Sequence, residues 1–171
     1  KAKSAYNFTM IVKSFQSTYW QAAIKGMDQA KAELGVTYTA QGPNSESDIA
    51  DQVNMLNSAI SSKPNGIGLA ACDTTSVLDS LKSAKAAGIP VVCFDTGVAD
   101  APDGSVVSTV ATDNSKAGAL AADKMHELLK DKITSATSQV RIGEVNQDAT
   151  ALNIQQRGLG FVEFARRSKH G

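Results

Sequence analysis

From its first residues to residue 94, the chain alternates short apolar runs with longer stretches in which apolar residues recur every three or four positions. The short runs suit strands, and the three-and-four spacing suits helices with one buried face. Four such alternations of this length imply right-handed βαβ crossovers, and these build a parallel sheet covered by helices. The predicted class is therefore α/β, a three-layer αβα arrangement.

The elements follow in order. A strand running to Val12 passes through a polar, aromatic-rich turn into a helix over residues 18–34. That helix carries Trp20, Ala23, Ile24, Met27, Ala30 and Leu34 on one face and is stopped by Gly35. A short strand over 36–40 leads to a turn offering Ser45 or Ser47 as N-cap. A second helix follows with Ile49, Val53, Leu56 and Ile60 facing inward, and Lys63-Pro64-Asn65-Gly66 ends it. Residues 67–71 are apolar on both faces, as a strand covered by helices on both sides must be. Asp73 or Thr75 can cap the third helix, whose Val77, Leu78, Leu81 and Ala84 face inward. Residues 90–94 form a fourth strand ending at Asp95-Thr96-Gly97. Beyond it the pattern predicts a fifth strand over 105–111 and a helix from a cap at Asp113 or Asn114 to Lys130, carrying Ala117, Leu120, Ala121, Leu128 and Leu129. A linker over 130–138, a strand over 140–145 and a last helix over 150–167 complete the chain.

Composition narrows the function. Of 171 residues, 17 are basic and 17 acidic, with no long run of like charge, so neither nucleic acid nor an anionic membrane is an expected partner. No apolar run reaches the roughly 20 residues that span a bilayer. The first residues, KAKSAYN, have neither an initiator Met nor a signal-peptide core, so the sequence reads as mature or trimmed. Cys72 and Cys93 fall near the ends of neighbouring parallel strands, a geometry that seldom suits a disulfide, and buried free thiols are expected.

Catalytic signatures are absent. The first strand is followed by no GxGxxG, and no GxxxxGK[ST] or GxSxG occurs. The two histidines, His126 on a solvated helix position and His170 in a polar tail, have no metal-ligand constellation around them. No cofactor is expected.

Ligands of open parallel sheets sit beyond the carboxyl ends of the strands. That rule nominates residues 13–20, 72–75, 95–97, 112–114 and 146–150. Capping explains Asp73, Thr75 and Asp113 in full. Asp95 differs, because it follows a buried strand directly and has no amphipathic helix to cap. Of Tyr19 and Trp20, one is expected to pack inward as a staple; the other, with Phe15, can offer a flat apolar face. Beside Lys13, Gln16 and a carboxylate, such a face suits a sugar or polyol, whose ring stacks while its hydroxyls take fixed hydrogen bonds.

The chain resembles the type I periplasmic solute-binding proteins, the ribose-binding and related sugar-binding components of ABC transporters. The resemblance runs from Asn7 to Phe161 through IVKSFQSTYWQAAIKGMDQAKAELG, AAGIPVVCFDTGV, VVSTVATDN and NQDATALNIQQRGLGF, in that order. It implies an extracytoplasmic protein of two α/β lobes that closes on a sugar and serves a permease. It maps ligand contacts onto Lys13, Ser17, Tyr19, Trp20 and Asp95 in the first lobe, and Asn153 and Gln155 in the second. It places the first lobe at residues 1–110 and the start of an incomplete second at 111–171. Thr96 and Gln155 stand where many ribose binders carry arginine, which argues against ribose itself. The pair of Lys13 and Asp95 also matches relatives that bind furanosyl quorum signals.

Family members run to nearly twice this length, so a truncated chain is expected, with weak or no ligand binding, an exposed apolar sheet edge or helix face, and self-association. Two other classes share the fold. One is the ligand-sensing domain of a LacI-type repressor or sensor kinase, marked by a helix-turn-helix or membrane helix. The other is a flavodoxin-like enzyme, marked by a bound cofactor.

Overall fold

The computed structural model describes residue 2 and residues 4–167, so the tail with His170 lies outside the described residues. The chain forms two compact units, residues 1–110 and 111–171.

The first unit is built on a five-stranded parallel sheet: β1 (Asn7–Ile11), β2 (Thr37–Gln41), β3 (Gly66–Leu69), β4 (Val91–Phe94) and β5 (Ser108–Val110), in the order β2-β1-β3-β4-β5. β1 therefore has partners on both sides, Ile11 standing between Gln41 and Leu69. The connections leave β1 first toward β2 and then back across to β3. That reversal of direction between β1 and β3 opens a crevice at the carboxyl ends of the strands.

Three helices cover the sheet. α1 (Thr18–Leu34) lies on one face, with Trp20, Ala23 and Met27 packed against Val12, Ala70 and Phe94. On the other face, α2 (Ile49–Ser61) and α3 (Leu78–Ala86) bring Leu56, Ala59, Leu81 and Ala84 onto Ile11, Ile67, Leu69 and Val91. This is the three-layer αβα arrangement read from the sequence. β3 is buried throughout, and its glycines make room for neighbours: a Cβ on Gly68 would run into the Met10 side chain.

Several local expectations change. α2 is entered through Asp48 rather than Ser45 or Ser47. The Asp48 carboxylate accepts from the Ser45 N–H at 3.0 Å, while the two serine hydroxyls bond each other at 2.8 Å. Asp73 does not cap α3 either. Its Oδ1 accepts from the backbone and hydroxyl groups of Thr75 and Ser76, closing a turn ahead of the helix. On α1, Ala30 and Leu34 are exposed. Cys72 and Cys93 are buried free thiols.

The predicted fifth strand shrinks to residues 108–110, pairing with β4 on one side only. Its three residues and Val107 are exposed, which makes it the open edge the sequence led one to expect.

In the second unit, α4 (Asn114–Thr134) packs against α5 (Leu152–Arg167). Asp113 caps α4, accepting from Lys116 N–H at 3.0 Å. The packed face of α4 is Asn114, Gly118 and Ala122, whereas Leu120 and Leu128 point outward. Small residues win this face because the helices approach closely: a Cβ on Gly118 would meet the Arg157 carbonyl oxygen, and one on Gly160 the Ser115 carbonyl oxygen. The strand expected over 140–145 is not formed. A strand needs a neighbour to complete its ladder, and among the described residues this segment pairs with none, Val145 standing 96% exposed.

Candidate functional site

β1 ends in Val12, and the chain turns through Lys13, Ser14, Phe15, Gln16 and Ser17 into α1. This turn is tied to the loop after β2. Ser14 Oγ donates to the Asn44 carbonyl at 2.8 Å, Phe15 N–H to the Pro43 carbonyl at 3.0 Å, and Gln16 N–H to Ser14 Oγ at 3.2 Å. Phe15 and Ser17 are half-buried and Gln16 is exposed.

Two strands along, β4 ends at Phe94, and Asp95 follows with φ of 62°, in the left-handed region. Aspartate tolerates that conformation better than most residues, but it still costs about 1 kcal/mol or more, and such strain concentrates at functional positions. The backbone twist brings its carboxylate among three partners. Tyr19 Oη donates to Oδ1 at 2.7 Å, Thr96 Oγ1 donates to Oδ2 at 3.3 Å, and the Lys13 ammonium stands 3.8 Å from Oδ2. Lys13 is 2% exposed and the Asp95 side chain 15%, so the pair interacts through a medium of lower dielectric than water.

Behind these lies Trp20. It is 2% exposed, packs edge-on against Tyr19 at 4.9 Å and Phe94 at 6.1 Å, and donates its indole N–H to Glu46 Oε1 at 2.9 Å. Tyr19, 59% exposed, keeps a ring face open. Trp20 is thus the inward staple, and Tyr19 the aromatic available to a ligand.

Sequence reasoning nominated Lys13, Tyr19 and Asp95, and the fold brings them together. It did not single out Glu46, which accepts from Trp20, or Gln52, whose buried side-chain amide donates to the Val12 and Ala70 carbonyls. Glu46 sits in a serine-rich turn with no local mark of its role. Gln52 left a trace, as a polar residue among the apolar positions of α2. The 72–75 loop is a self-satisfied turn: burial pushes the Asp73 carboxyl up, but hydrogen bonds from Ser76 and Thr75 outweigh it and hold Asp73 below its ordinary value.

In the second unit, Asn153 is buried and Gln155 exposed, with Gln155 Nε2 donating to the Ala149 carbonyl at 2.7 Å. Asn114, within the 112–114 stretch nominated by the strand-end rule, is buried and accepts from Arg157 Nε at 2.9 Å. Among the described residues, no group of three His, Cys, Asp or Glu side chains is placed to hold a metal ion, and no helix is long and apolar enough to cross a membrane.

The Asp95 carboxylate, flanked by the Lys13 ammonium and the phenol of the exposed Tyr19, stands beyond the carboxyl end of β4, where ligands of open parallel sheets sit. The family model for the periplasmic binding protein domain matches residues 8–169, and the chain belongs to the type I periplasmic binding proteins.

Individual relatives sharpen this. The chain is 28% identical over 123 residues to the D-apiose import binding protein of Actinobacillus succinogenes, covering 72% of this chain and 38% of that protein. It is 25% identical over 168 residues to the ribose import binding protein RbsB of Bacillus subtilis, covering 95% of this chain and 50% of that one. Among solved structures, an ABC transporter solute binding protein from Agrobacterium vitis with bound D-fucose aligns with a TM-score of 0.85 and 34% identity, over 94% of this chain and 53% of that one. The chain thus spans half or less of the length of these curated relatives.

Proposed function

We propose that this chain is part of an extracytoplasmic solute-binding protein that takes up a sugar or polyol and delivers it to an ABC transporter permease, acting by binding rather than catalysis. The observation that carries the reading is the cluster of Asp95, Lys13 and Tyr19 at the carboxyl end of the sheet. A carboxylate held in place by an ammonium and a phenol accepts paired hydrogen bonds from neighbouring sugar hydroxyls. The exposed ring of Tyr19, with Phe15 beside the same turn, suits the apolar face of a sugar ring. Gln16 and Ser17 add polar contacts at the rim, while Trp20 contributes from behind by holding Tyr19. Asn153 and Gln155 are the proposed contacts of the second unit, which we read as the start of a second lobe. The open edge at β5 is the proposed route of self-association.

Calorimetry with ribose, D-apiose and D-fucose tests the reading. One of them is expected to bind, weakly for a chain of this length, and Asp95→Ala is expected to reduce affinity at least about tenfold, the loss of a charged hydrogen-bonding partner. Equal heats for wild type and Asp95→Ala with a sugar that binds would refute the role of the carboxylate.

A further inference from the structure

β1 and β3 lie side by side where the direction of the connections reverses. Their shared ladder ends with the bond from Ala70 N–H to the Ile11 carbonyl. Beyond that bond, one side chain takes up the next groups of both strands. Gln52, in α2 and 1% exposed, donates through Nε2 to the Val12 carbonyl at 3.1 Å and the Ala70 carbonyl at 2.9 Å. Its Oε1 accepts from Cys72 N–H at 2.8 Å. Cys72 in turn directs its Sγ to the Lys13 carbonyl at 3.7 Å.

Lys13 is thereby held on both sides. The carbonyl before it is bound by Gln52, and its own carbonyl is met by a thiol whose backbone Gln52 also holds. Position 52 falls on the inward face of α2 beside Val53 and Leu56, where an apolar side chain would pack at no desolvation cost. A buried amide is tolerable there only when fully paired, and both Nε2 hydrogens are used. Glutamate, when ionised, has no hydrogen to give the two carbonyls, and asparagine is one carbon too short to reach them.

We propose that Gln52 is a positioning residue of the ligand site: it ties the ends of β1 and β3 at the reversal point and so sets where the Lys13 ammonium stands relative to Asp95. The tie rests on the sugar-binding reading only for what the site holds.

The test compares Gln52→Asn with Ala59→Gly, a change in the same helix away from the site, at temperatures where both remain folded. Hydrogen exchange is measured first. Gln52→Asn is expected to speed exchange about tenfold or more at Cys72 N–H and across residues 13–17, with Ala59→Gly leaving these amides within about twofold of wild type. Unchanged protection in Gln52→Asn, or equal loss in both variants, overturns the proposal. Calorimetry with ribose, D-apiose and D-fucose follows. For a sugar that binds wild type, Gln52→Asn is expected to weaken binding about tenfold and Ala59→Gly less than about twofold; undiminished binding in Gln52→Asn overturns it. If wild type binds none of the three, the exchange result alone decides the positioning role.

Discussion

Removing the carboxylate of Glu46 tests whether that carboxylate anchors the buried indole of Trp20. The indole N–H donates to Glu46 Oε1 at 2.9 Å from a ring that is almost wholly buried. Glu46→Ala takes away that acceptor while leaving the ring in place. A buried donor left unmade costs about 1–3 kcal/mol, with bonds to charged acceptors toward the upper end. Glu46 is half-buried, so water entering the vacated space recovers part of this, and the expected loss is about 1.5–2 kcal/mol. Trp20 is the one tryptophan in the chain, so its fluorescence in a urea titration follows the first unit selectively, with the slope unchanged. The pairwise part comes from a double-mutant cycle with Trp20→Phe, followed by circular dichroism, with an expected coupling of about 1 kcal/mol or more. Tyr19 packs edge-on against Trp20 and donates to Asp95, so the same variant should loosen the proposed ligand site. A coupling within about 0.3 kcal/mol of zero would refute the reasoning.

Three further outcomes are expected. Burial pushes the Cys93 thiol up from 9.0 to about 11, against the opposing pull of a hydrogen bond with Thr109. Between pH 9 and 11 the unfolded chain therefore loses a proton that the folded chain keeps. Stability present below that window falls through it, by about 2 kcal/mol. Urea midpoints across the window should decline less steeply for Cys93→Val, and equal declines would contradict this. Tyr38, pushed up to about 12 by burial and by its bond to Asp28, adds a later decline in both chains. Gly118→Ala should force α4 and α5 apart at a cost of about 1–3 kcal/mol, read as faster amide exchange in α5, and unchanged exchange there would count against the close crossing. Val110→Lys, on the exposed β5 edge, should reduce concentration-dependent association in sedimentation velocity; a wild-type chain that sediments as a monomer at every concentration rules out self-association.

Much of the site was readable because it follows one rule of parallel sheets. Lys13 and Asp95 stand just past strand ends and Tyr19 at the start of the helix that follows β1, and strand ends are visible as apolar runs giving way to polar residues. Which aromatic would turn inward was not visible. Tyr19 and Trp20 are adjacent on a helix start, and the choice depends on Phe94 and Glu46, residues 74 and 26 positions from Trp20 in the sequence. Capping residues were misassigned in two turns, since Ser45, Ser47 and Asp48 can each serve the same helix and only the surrounding chain selects one. The α4 face was misread because its leucines suggest a buried stripe, whereas close helix approach selects Asn114, Gly118 and Ala122 instead.

What the amino-acid sequence determined by itself is local: alternating strands and helices, hence a parallel sheet, with its polar loops gathered at one end. Periodicity and turn residues carry that information within windows of a few residues. The tertiary structure alone decided the order β2-β1-β3-β4-β5 and, with it, the meeting of Lys13 with Asp95 and of Gln52 with two strand ends. It also decided that residues 140–145 remain without a ladder. These outcomes depend on hydrogen bonds and ion pairs between residues tens of positions apart, and a strand or a charge pair forms only where its partner is brought to it.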